Sequence, residues 1–187
     1  MQLRESLKKI ISSYKDEFDK FVIHTPFKIK KEEILAIEEV IKKIQEDSGY
    51  ESTEFLVIKI NEKNKFFGYN IKTNSLVPYE STYIKLSRNE YLLWFEGLQY
   101  HNPNVYKRFS GPTHIEFYYA SKDLVEAEKI KYLQDTINLS GANWRGFNAK
   151  SLPVSIYYCQ LVARFIREFY EYGYQGFKID NLKPWFL

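Results

Sequence analysis

Apolar residues recur at helical spacing from the start of the chain. Leu3, Leu7, Ile10, Ile11, Tyr14 and Phe18 fall on one stripe and predict an amphipathic helix over residues 3–20. Phe21-Val22-Ile23-His24 then reads as a short buried strand, stopped by Pro26. The 3.6-residue period returns over residues 31–46, where Ile34, Ile37, Ile41 and Ile44 share a face opposite acids and lysines, and Asp47-Ser48-Gly49 ends the helix. Residues 55–60 are a nearly continuous apolar, β-branched run, the pattern of an inner strand covered on both faces. Shorter antiparallel strands are predicted at 65–69, 82–86 and 91–95, with Ser87-Arg88-Asn89-Glu90 turning the last pair. Residues 97–112 are loop-like, punctuated by Asn102-Pro103 and Gly111-Pro112, and 115–120 is another strand. Asp123 is the expected cap of a helix reaching about residue 139. Pro153 belongs in the first turn of a last helix that runs to about 172 and ends at Gly173.

The order of helices and strands predicts an α/β fold, an open sheet covered by helices. At 187 residues, 44% hydrophobic and 18% aromatic, the chain can bury one core. Sixteen Tyr and fourteen Phe are many, and large exposed aromatics would suit an interface. One cysteine excludes an internal disulfide, so a reducing cytoplasm is the expected location, with Cys159 packed in the core. No apolar run approaches a membrane span, and charges interrupt residues 1–10 too early for a signal peptide.

Charge changes the picture at the C-terminal end. Residues 141–187 hold six Lys/Arg against three Asp/Glu, while the remainder holds 21 of each, so the formal net charge of +3 resides in that segment. Familiar catalytic signatures are missing: there is no Gly-rich phosphate loop, no G-x-S-x-G elbow, and no zinc-ligand spacing among His24, His101, His114 and Cys159. Glu32-Glu33, Glu38-Glu39, Glu126 and Glu128 lie on polar helix faces and read as solvated surface. His24 ends a buried strand and reads first as a structural histidine, second as a site residue. In the last helix Tyr157, Gln160, Arg164, Arg167 and Glu171 share one face, and Ile156, Cys159, Ala163, Ile166 and Tyr170 form the expected core stripe.

Three segments, in order, resemble the C-terminal half of an argonaute PIWI domain. They are Phe21-Val22-Ile23-His24-Thr25-Pro26-Phe27 followed by Lys31-Glu32-Glu33-Ile34; Gly111-Pro112-Thr113-His114-Ile115-Glu116; and Leu139 through Asn143-Trp144-Arg145, Ser151-Leu152-Pro153, Tyr157-Tyr158 and Leu161-Val162-Ala163. The resemblance implies an RNase H-like mixed sheet flanked by helices, incomplete without an N-terminal half. Residues 1–187 would be the C-terminal part of PIWI, and 141–187 its guide-contacting segment. It implies a guide RNA or DNA and a target strand as ligands. It also implies a partner chain supplying MID and the first half of PIWI, and an effector or argonaute-associated subunit in prokaryotic defence. Arg145, Lys150, Ser151, Tyr157 and Arg164 match guide-backbone positions, and a Leu187 carboxylate would help hold Mg²⁺ or another divalent ion on the guide 5′ phosphate. Two family carboxylate positions are occupied by Thr25 and Gln160, which points to the short, catalytically inactive type and to binding without cutting. Two alternatives stay open. One is a two-metal nuclease completed by a partner chain, with Asp19 as a displaced carboxylate; the other is a protein-interaction domain.

Overall fold

A computed structural model describes residues 2–14, 16–48, 53–72, 74–98, 111–142 and 152–173. The elements run α1 (Gln2–Tyr14), β1 (Lys20–Thr25), α2 (Lys31–Ser48), β2 (Glu54–Asn61), β3 (Tyr83–Lys85), β4 (Glu90–Leu93), β5 (Thr113–Ala120), α3 (Glu126–Gly141) and α4 (Val154–Glu171). The five strands make one mixed sheet in the order β1-β2-β5-β4-β3. β1 and β2 are parallel, with Phe21 opposite Phe55 and Thr25 opposite Lys59. β2–β5, β5–β4 and β4–β3 are antiparallel.

Side-chain alternation along β2 divides the core. Phe55 and Val57 face α1 and α2, where they meet Ile11, Ile37, Val40, Ile41 and Ile44. Leu56, Ile58 and Ile60 face the other way and pack with Tyr91, Leu93, Ile115, Phe117, Leu133 of α3 and Ile156 of α4. Both faces of β2 are therefore dry, as its unbroken apolar run predicts.

Several boundaries differ from the sequence pattern for local reasons. The first helix stops at Tyr14, and Phe18 is exposed, because Asp19 carbonyl already accepts the Glu54 N–H and begins the parallel ladder. Residues 65–69 are not a strand. Asn61 and Asn64 side chains accept the N–H groups of Lys63 and Phe66, diverting them from any ladder, and the segment makes one isolated bridge, Asn70 to Ser75. β3 and β4 are shorter than the patterns at 82–86 and 91–95, although the expected turn joins them. Asp123 does not cap α3: the helix begins at Glu126, and the Glu128 carboxylate accepts the Val125 N–H instead. Pro153 stands at the cap of α4 and Gly173, with φ of 77°, follows its end, as the pattern foretold. The core stripe expected on α4 is limited to Ile156: Cys159, Ala163, Ile166 and Tyr170 are exposed, because the helix touches the sheet near its N-terminal turns.

Candidate nucleic-acid interface

Parallel strands place their C-terminal ends on one edge, where α/β sheets commonly open a crevice. Here β1 ends at Thr25 and β2 at Asn61, and α4 crosses beside them. A hollow of about 240 Å³ forms there, lined by Pro26, Phe27, Ile60, Asn61, Glu62, Lys63, Leu152 and Gln160. The fold thus brings Gln160 of α4 beside the turn that follows Thr25, although 135 positions separate the two in sequence. Asn61, Glu62 and Lys63 were not singled out from the sequence. Their signal was available: they immediately follow the inner apolar run.

Thr25 is committed locally. Its hydroxyl donates to the Phe27 carbonyl at 3.1 Å and accepts the Phe27 N–H at 3.2 Å, tightening the turn. Gln160 is exposed and carries no charge to anchor a metal ion. Among the described residues no group of three His, Cys, Asp or Glu side chains has the geometry of a metal site. Glu62 is the sole carboxylate lining the hollow among the described residues.

His24 is what fastens α4 to the sheet at this edge. Its Nδ1 lies 2.8 Å from Ser155 Oγ, in the first turn of α4. Burial pushes its pKa down from 6.5 to about 4, so the imidazole is neutral at physiological pH. The structural reading of His24 fits this geometry. Ser155, its partner, has no motif of its own in the sequence.

Along α4, Tyr157 is half-buried with its ring 5.5 Å from that of Tyr158. Arg164 is exposed and sits 3.8 Å from Glu168, while Arg167 sits 4.0 Å from Glu171. Such surface pairs are weak and readily exchanged for a phosphate. Arg145, Lys150, Ser151 and Leu187 lie outside the described residues. Among the described residues no helix is long and apolar enough to cross a membrane.

A mixed sheet with this strand order, helices on both faces and a crevice at the parallel strand ends has the RNase H-like architecture of a PIWI domain. Residues 24–171 match the Piwi domain family, and the chain belongs to it. It is 26% identical over 212 aligned positions to a Piwi protein of Archaeoglobus fulgidus, covering 99% of this chain and 47% of that protein. The chain thus spans about half the length of that relative. Among solved structures it resembles Clostridium butyricum Argonaute bound to a guide DNA and a 19-mer target DNA, with a TM-score of 0.62 and 19% identity over 88% of this chain and 20% of that one. It also resembles Aa-Ago with externally bound siRNA, with a TM-score of 0.58 and 17% identity over 89% of this chain and 21% of that one. These likenesses concern the fold.

Proposed function

We propose that this chain is the C-terminal part of an argonaute PIWI domain and helps hold a guide strand and its target without cutting the target. Membership of the Piwi family across residues 24–171 carries the reading. Tyr157 and Arg164 lie on one face of α4, two turns or ~10 Å apart along its axis. With Arg145, Lys150 and Ser151 they form a track for phosphate oxygens, positioning the strand without reading its sequence. Residues 141–187 are the guide-contacting segment, and a divalent ion would neutralise the guide 5′ phosphate. A MID domain and the first half of PIWI complete the binding site, and target recognition signals to an associated effector in prokaryotic defence.

The chemistry of the crevice supports binding without hydrolysis. A two-metal site needs several carboxylates around the scissile phosphate. Among the described residues the crevice offers a threonine hydroxyl engaged with its own backbone, a neutral amide and one glutamate. That donor set does not fit a metal pair. Glu62 favours the second reading, in which a partner chain supplies the missing carboxylates.

The test is a titration of short single-stranded oligonucleotides in Mg²⁺, bearing a 5′ phosphate or a 5′ hydroxyl, on the chain assembled with its MID-bearing partner. Tighter binding of the phosphorylated strand with an intact target is the expected result. Metal-dependent cutting would establish the nuclease reading, and equal weak binding of both strands would remove the argonaute reading.

A further inference from the structure

Between β2 and β3 the chain makes an excursion rich in lysine and aromatic residues: Lys63-Asn64-Lys65-Phe66-Phe67-Gly68-Tyr69-Asn70-Ile71-Lys72. Residues 63–78 contain three lysines and no acid. Asn64, Phe66 and Gly68 tie the segment to the protein, although Phe66 keeps 46% of its surface exposed. Asn64 Nδ2 donates to the Asn61 and Pro112 carbonyls, the Phe66 ring lies 5.8 Å from His114, and a Cβ on Gly68 would come within 2.5 Å of the buried Trp94 ring. Lys63 and Lys65 are exposed, Phe67 is 72% exposed, Tyr69 52% and Ile71 86%, the Tyr69 hydroxyl donating to Asn74 Oδ1.

Exposed aromatics on a segment anchored this firmly are not explained by packing. Ion pairs to Lys63, Lys65 or Lys72 do not occur among the described residues. The strip offers two exposed ammonium groups followed in sequence by two exposed aromatic rings, which is the chemistry of a single-stranded nucleic-acid track. It is also continuous with the crevice, since Lys63 lines the same hollow as Gln160 and Phe27, whose own ring is 75% exposed.

We propose that Lys63, Lys65, Phe67 and Tyr69 form a second contact for single-stranded nucleic acid, the lysines holding phosphates and the rings stacking on bases as the strand leaves the crevice. This rests on the reading of the chain as a nucleic-acid binder, and adds to it a site distant in sequence from the α4 track.

The experiment is fluorescence-anisotropy titration of 5′-phosphorylated and 5′-hydroxyl single strands, over a salt series, on the assembled protein carrying F67A/Y69A, Y69F or K63Q/K65Q. Each ring lost should weaken binding about fivefold or more, with Y69F close to wild type. K63Q/K65Q should flatten the dependence of log Kd on log salt by about 0.7 per lysine, and the aromatic variant should leave that slope unchanged. Wild-type affinity and slope in all variants, with the 5′-phosphate preference intact, would overturn the second contact and leave the guide-binding reading standing. Loss of assembly with the partner at unchanged oligonucleotide affinity would make the strip a protein interface and overturn the proposal. Failure of the wild type to bind either strand would overturn both readings.

Discussion

Burial of His24 makes the stability of the fold dependent on acid. The imidazole is neutral in the folded protein because burial disfavours its charged form, lowering its pKa from the ordinary 6.5 to about 4. Between these values the unfolded chain binds a proton that the folded chain does not. The stabilisation is therefore fully present above 6.5, declines as pH falls through that window, and is gone once the folded-state value is passed. At about 1.4 kcal/mol per pH unit, the difference amounts to roughly 3 kcal/mol, a sizeable part of a domain's stability. H24N removes the titration and keeps a side chain able to bond Ser155. Urea unfolding, followed by tryptophan fluorescence at pH steps across the window, measures the difference. Carboxylates held below their usual range, such as Glu54 beside Lys122, also lose stabilisation in acid, but equally in both proteins. The stability of wild type relative to H24N should fall by roughly 3 kcal/mol across the window. Parallel profiles for the two proteins would refute the reasoning.

Other perturbations follow from the packing. G97A should destabilise the protein by about 3 kcal/mol or more, because its Cβ would stand 2.3 Å from the Pro78 carbonyl oxygen and 2.6 Å from Glu80 N, both backbone atoms; the urea midpoint reports it. L133A empties a site only 2% exposed against the β2–β5 face and should cost about 2–5 kcal/mol, whereas I130A on the open side of α3 should cost under about 1. Lys129 is buried, and its ammonium donates to the Arg88 carbonyl and Asn89 Oδ1, both at 2.8 Å. K129M should cost about 1–3 kcal/mol by leaving those acceptors unpaired, and N89A should add less on top of it than alone, a coupling read by a double-mutant cycle.

The elements legible in the sequence were those whose pattern is set by burial. Ile34, Ile37, Ile41 and Ile44 announced α2, and the run at 55–60 announced a strand dry on both faces, because one-dimensional spacing reports how many sides of an element face the core. Local side-chain chemistry was harder to read. Nothing in the apolar pattern at 65–69 reveals that the Asn64 side chain intercepts the Phe66 N–H, and Asp123 looked like a cap until Glu128 proved better placed. Cys159, Ile166 and Tyr170 were read as core from helical spacing alone, which cannot show where along its length a helix leaves the sheet. At the candidate site the sequence resemblance drew attention to Thr25 and Gln160. The pairing of Ser155 with His24 emerged only from the crossing of α4 over the strand ends.

The pairing of β2 with β5 bears on how this chain is made. Leu56 meets Ala120 and Ile60 meets Ile115, so β2 waits for residues synthesised long after it. On the ribosome β2 emerges with β1 beside it and its other edge open until the excursion, β3 and β4 have passed. Contacts so far apart in sequence fold slowly, and an apolar strand with an open edge is a template for other chains. Nascent-chain capture by holdase chaperones should therefore peak before residue 120 is exposed and fall once it is.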